Sequence, residues 1–140
     1  PEPGQPGIRG DDLRDLIASV KVWVGDSCLA PRADGGQMVK YVSDRVPEVI
    51  GRGGFLLHPL VEGSVAPCES DMFDGSYWRP DVHLGAWPMG DFTALAERIE
   101  YYLASDQRRQ NVASNGMQYT KAFHTYTVRM AQVLEAVCPS

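Results

Sequence analysis

Residues 43–63, SDRVPEVIGRGGFLLHPLVEG, read as a short helix, a stop and a buried strand. Ser43 offers a side-chain acceptor suited to an N-cap, and Pro47 falls in the first turn, where its missing N–H costs little. The helix is expected from Asp44 to Gly51, ended by Gly51, Gly53 and Gly54. Phe55–His58 is a continuous apolar run of strand length, and the strand is expected to stop at His58-Pro59. A helix that feeds an apolar strand is the unit of a parallel sheet covered on both faces. Lys21–Val24, KVWV, is a second β-prone run, closed by Gly25-Asp26-Ser27, and 82–87 holds a third. The chain is therefore expected to be an α/β domain, Rossmann-like and three-layered, with a short and mostly parallel sheet.

The flanks fit this plan. Residues 1–10, PEPGQPGIRG, read as a linker or edge segment, which leaves 11–140 as one domain. Asp11 and Asp12 are placed to cap a helix carrying Leu13, Leu16 and Ile17 on one face. Residues 28–36 form a loop, 37–42 are ambiguous, and 59–85 carry no sustained period. The last third is helical. Asp91 is expected to cap a helix with Phe92, Leu95, Ala96, Ile99 and Leu103 inward. Asp106 is expected to cap one with Val112, Ala113, Gly116 and Met117 inward, and Thr125 one with Tyr126, Met130, Val133, Leu134 and Val137 inward.

Composition narrows the function. The 140 residues are 44% hydrophobic and 22% charged, ordinary for one globular domain. Thirteen basic against eighteen acidic residues give a net charge of -5 with no basic stripe, which argues against nucleic acid as a partner. No run is long enough to span a bilayer. Cys28, Cys68 and Cys138 are odd in number and widely spaced. That argues against a disulfide framework and for a reducing, cytoplasmic setting, and no spacing suggests a metal site. A start at Pro1 is expected of a piece of a longer protein.

The candidate site lies at the start of the 43–63 helix. Arg45 and Glu48, three apart, share a helix face and can be a surface ion pair. Position offers a second reading. Ser43 Oγ and Arg45 would hold a phosphate, and Glu48 would accept hydrogen bonds from sugar hydroxyls. Ser27 and Asp26 follow a strand at its C-terminal end, where α/β folds bind ligands, or simply make a turn. Gly35-Gly36 lacks the spacing of a phosphate loop. His58 is read as a packing residue, His124 as structural, and His83 has no identifiable partner. Phe73, Tyr77, Trp78 and Trp87 suit either an aromatic wall or a small satellite core.

The order of these features resembles the nucleotide-sugar-binding C-terminal domain of GT-B glycosyltransferases, in the glycosyltransferase group 1 / spore-maturation-protein-like branch. The residues that carry the resemblance are Arg45 and Glu48, Gly90-Asp91, Tyr101-Tyr102-Leu103, Arg108, Gly116, His124-Thr125-Tyr126 and Arg129. The resemblance implies half of a GT-B fold that binds a nucleoside diphosphate sugar, with an N-terminal acceptor-binding domain in the same protein. It implies Glu48 at the donor ribose and Ser43 and Arg45 at the diphosphate, with no resident cofactor. Many retaining members carry a further glutamate eight positions before this one, near the donor sugar. Lys40 stands there, so it joins the candidate donor-binding residues while the glutamate pair is broken. No catalytic residue is assigned, and this piece alone is expected to be inactive. A non-catalytic nucleotide or sugar-phosphate binding module and a helical interaction domain are the alternatives.

Overall fold

The computed structural model describes residues 7–25, 43–60 and 78–138. Three parallel strands, β1 (Trp23–Val24), β2 (Leu56–Leu60) and β3 (Gly85–Pro88), lie side by side in that order. Trp23 pairs with Leu56, and Leu57 pairs with Gly85. Around them run helices α1 (Gly10–Ser19), α2 (Arg45–Gly51), α3 (Phe92–Leu103), α4 (Asp106–Phe123) and α5 (Tyr126–Val137).

The period-2 alternation of the strands divides the core into two faces. Leu56 and Ala86 point to one side, where Ile17 of α1, Val46, Val49 and Ile50 of α2 and Tyr119 of α4 cover them. Phe55, Leu57 and Trp87 point to the other, against Tyr102 of α3 and Val112 and Ala113 of α4. Helices on both faces of a parallel sheet make the expected three-layer α/β domain, and explain why β2 is buried at successive positions.

The stop after α2 is a Schellman motif. Gly53, at φ 85°, donates to Ile50 O at 2.9 Å, and Gly54 donates to Val49 O at 3.0 Å. Gly54 is also held small by packing, since a Cβ there would sit 2.6 Å from Ile17 Cγ2.

Several local expectations are corrected. The β2 strand does not stop at His58 but continues through Pro59 to Leu60. Phe55 O and Leu57 O accept from β1, so Pro59, in phase with them, turns its nitrogen toward the edge where β1 has already ended. The ladder on that side ends with the bond from Gly25 N–H to Leu57 O, so the missing N–H falls at its end, where proline is tolerated. Helix α2 begins at Arg45, whose N–H donates to Ser43 Oγ at 3.3 Å, while Asp44 is already helical in backbone. Asp11 and Asp12 lie in the first turn of α1 rather than capping it, and still complement its N-terminal charge. Ser105, not Asp106, caps α4 by accepting from Arg108 N–H, whereas Asp91 and Thr125 cap as expected.

The inward face of α3 also shifts by part of a turn. Phe92 is 74% exposed and Leu103 is exposed, while Tyr102 is fully buried and Leu95 and Ile99 pack beside it. Polar bonds hold it there. Tyr102 Oη donates to Asp81, and Arg98 pairs with Asp81 while its Nε donates to Ala86 O at 3.1 Å. Arg108 Nη1 donates to Tyr101 O at 2.8 Å, and Arg109 donates to Tyr102 O, so α4 satisfies the last carbonyls of α3.

The largest departure is α5. Tyr126, Met130, Val133, Leu134 and Val137 share a face as expected, but none is buried. The two core clusters close without this helix, and its apolar stripe faces away from them.

Candidate functional site

Where β1 and β2 end and α2 begins there is a cleft of about 210 Å³. Its floor is apolar, from Leu13 and Ile17 of α1, Trp23, Val46, Val49 and Leu56. Its polar rim carries Ser43, Arg45 and Glu48, and Gly25 and His58 close the strand ends. Three of the five candidate residues therefore meet in one concavity at the C-terminal side of a parallel sheet, the usual ligand position of such folds. Ser27 and Lys40 lie outside the described residues, as do Asp26, Gly35-Gly36, Phe73 and Tyr77.

The anticipated Arg45–Glu48 pair is replaced by Glu48–Arg52 at 3.4 Å, one turn apart, with both side chains more than a third exposed. Such a pair contributes only a few tenths of a kcal/mol. It orients the carboxylate without committing it.

Sequence reasoning missed the part of the wall that comes from strand pairing. His58 is buried and donates through Nδ1 to Pro59 O at 2.9 Å. Its ring lies over Gly25, where a Cβ would come within 2.9 Å of Cδ2. The packing role read for His58 holds, and the same ring also borders the cleft. Its place at the end of an apolar strand was the available signal.

A second, larger cleft of about 720 Å³ lies on the other side of Glu48. Ser43, Asp44, Pro47, Glu48 and Arg52 form one wall, and Trp78, His124, Thr125, Tyr126 and Arg129 the other. Trp78 stacks on His124 at 3.8 Å and donates to Thr120 Oγ1 at 2.8 Å, so it serves as core rather than as an exposed platform. His124 Nδ1 accepts from Arg129 at 2.7 Å. His83 Nδ1 accepts from Arg79 N–H at 3.1 Å, and its ring stacks on Tyr119 at 4.1 Å. Both rings are thus held as acceptors, which requires them neutral. Burial first, then the Arg79 charge for His83 and the Arg129 charge for His124, lowers each pKa from 6.5 to about 4.

A pH dependence follows. Below pH 6.5 the unfolded chain protonates these histidines and the folded chain does not, so stability falls as pH drops from about 6.5 to about 4 and levels off below. His83 alone would contribute a loss of about 3 kcal/mol across that window. Urea midpoints at pH 7 and pH 4.5 measure it. His83→Phe should make the profile shallower, leaving the His124 part, and a wild-type midpoint that does not move would show that the rings are not held neutral.

The sequence matches the family described as glycosyl transferase-like over residues 3–135, nearly its whole length. This chain belongs to that family. A solved structure, sucrose-phosphate synthase from Thermosynechococcus elongatus, is similar in fold, with a TM-score of 0.59 at 16% identity. The likeness covers 87% of this chain and 26% of that one, so the chain spans about a quarter of the length of the structure it resembles. No curated relative matches significantly. The fold is that of a glycosyltransferase domain of GT-B, Rossmann-like type. Among the described residues, no helix is long and apolar enough to cross a membrane.

Proposed function

We propose that the chain is the donor-binding domain of a glycosyltransferase of hexosyltransferase type, in the group 1 / spore-maturation-protein-like branch. It would take a nucleoside diphosphate sugar without a resident cofactor and lie C-terminal to an acceptor-binding domain of the same protein, in the cytoplasm. The observation that carries this reading is the convergence of Ser43, Arg45 and Glu48 on one cleft at the strand ends. The Arg45 guanidinium would hold diphosphate oxygens and offset the charge that builds on the departing nucleoside diphosphate. Glu48, already oriented by Arg52, would accept from the ribose hydroxyls, and the apolar floor would receive the flat face of the base. Ser27 and Lys40 are proposed to complete the donor contacts.

Titration with UDP, GDP and ADP followed by amide NMR shifts tests this. One of the three should shift Gly25, Ser43, Arg45 and Glu48, with the shifts unaltered by a chelator. Glu48→Ala should weaken that nucleotide about 10- to 100-fold, the equivalent of charge-assisted hydrogen bonds, with little change in stability. Absence of shifts around this cleft with all three nucleotides would overturn the proposal.

The exposed stripe of α5 supports a partner domain. Met130, Val133, Leu134 and Val137 make an apolar ridge that nothing in the described chain covers, and the protein of similar fold is several times longer. On this reading the chain alone gives no sugar transfer, and detectable turnover by the purified 140 residues would contradict it. Leu134→Lys should leave the stability of the chain within about 0.5 kcal/mol while lowering transfer by the two-domain protein. Unfolding of the chain by this change would instead make the stripe part of its own core.

A further inference from the structure

The second cleft has a chemistry that the donor reading does not use. It is more than three times the volume of the first and shares the Ser43 and Glu48 edge with it. Its charged groups are of both signs: carboxylates on Asp44 and Glu48, guanidiniums on Arg52 and Arg129. Each guanidinium already has an internal acceptor, Glu48 for Arg52, and His124 Nδ1 and Gln132 for Arg129. The wall is therefore rich in bidentate groups but locally balanced, which disfavours a polyanion. At one end the Tyr126 ring is 91% exposed and presents an open aromatic face.

We propose that this cleft is a second carbohydrate site, for the ring of a neutral sugar, adjoining the donor cleft across Glu48. Vicinal hydroxyls both donate and accept. Planar carboxylates take two of their protons, while guanidinium N–H groups supply donors to their oxygens. The C–H face of a sugar ring packs on an aromatic ring such as Tyr126. An apolar ligand would strand the four charges. The site rests on the glycosyltransferase reading for its meaning, since a sugar bound there would lie beside the proposed donor cleft, across Glu48. Its binding chemistry is independent of that reading.

The test is an amide NMR titration of the chain with methyl glycosides of glucose, galactose and mannose, and separately with inorganic phosphate. At least one glycoside is expected to shift Thr125, Tyr126 and Arg129 with millimolar affinity. Tyr126→Ala and Asp44→Ala, at exposed positions that make no capping bond, are each expected to weaken it about 10-fold or more. No shift with any glycoside up to about 100 mM would overturn the proposal. So would shifts reproduced by phosphate but by no glycoside, which would mark an anion site, or shifts that survive both substitutions. The nucleotide titration is read at Gly25 and Arg45, on the far side of Glu48, so failure of the donor reading and failure of this one are recorded separately.

Discussion

Gly116→Val is expected to destabilise the domain by about 3 kcal/mol or more, a large share of the 5–15 kcal/mol that holds a typical domain. A Cβ at Gly116 would lie 2.2 Å from His83 O and 2.8 Å from Ile50 Cγ2. A side-chain end can rotate away from such an overlap, but a backbone carbonyl must move with its loop. That loop is fixed from several directions: His83 accepts from Arg79 N–H and stacks on Tyr119, and Asp81 is tied to Arg98 and Tyr102. Relief would have to come from α2, which would carry Arg45 and Glu48 with it. Even Gly116→Ala should destabilise, although at an open helix position the same change would gain about 1 kcal/mol. Urea denaturation of both variants measures the effect. A Gly116→Ala variant as stable as the wild type would show that α4 packs more loosely on the loop than this geometry requires. On the proposed donor reading, a folded Gly116→Ala variant should also bind nucleotide more weakly, because the strain reaches the cleft through α2.

The parts of the fold legible in the sequence are those whose physics is local. Gly53 and Gly54 announce the stop of α2 because the left-handed residue of a Schellman motif favours glycine. Asp91 and Thr125 announce helix starts because a side chain three residues from an orphan N–H can satisfy it. Ser105 and Asp106 are both competent caps, and adjacency alone cannot choose between them. What escaped is set by distant neighbours. Pro59 continues a strand because β1 is short, a fact of pairing rather than of the proline. The inward face of α3 turns toward Tyr102 because Gly85 and Phe55, on other elements, leave the space its ring fills, and Asp81 and Arg98 hold its hydroxyl. The α5 stripe has the period of a buried face, and period alone does not say which body buries it. The candidate site divides in the same way. Ser43, Arg45 and Glu48 lie within two turns of chain and were found together. Gly25 and His58 join them only through strand pairing, and Trp78 and Arg129 face them only through the packing of α4 and α5.

Tyr102→Ala is the second substitution with a large expected effect, about 4 kcal/mol. The side chain is fully buried, its ring centroid lies 4.3 Å from that of Phe55, and it fills the space left open by Gly85, where a Cβ would come within 2.9 Å of Tyr102 Cε2. Truncation would leave a cavity bounded by β2, β3 and α4 that those elements cannot close without disturbing strand register. Tyr102→Phe separates packing from polarity. It keeps the ring and removes the bond to Asp81, a carboxylate exposed enough to recover water, so its cost should be only about 1 kcal/mol. Burial first, then the hydrogen bond and charge of Asp81, raise the pKa of the phenol, so the hydroxyl stays protonated and donates at neutral pH. A Tyr102→Phe cost close to that of Tyr102→Ala would reverse the assignment. It would make the Asp81–Arg98–Tyr102 network, rather than ring burial, the main tie between α3 and the turn before β3.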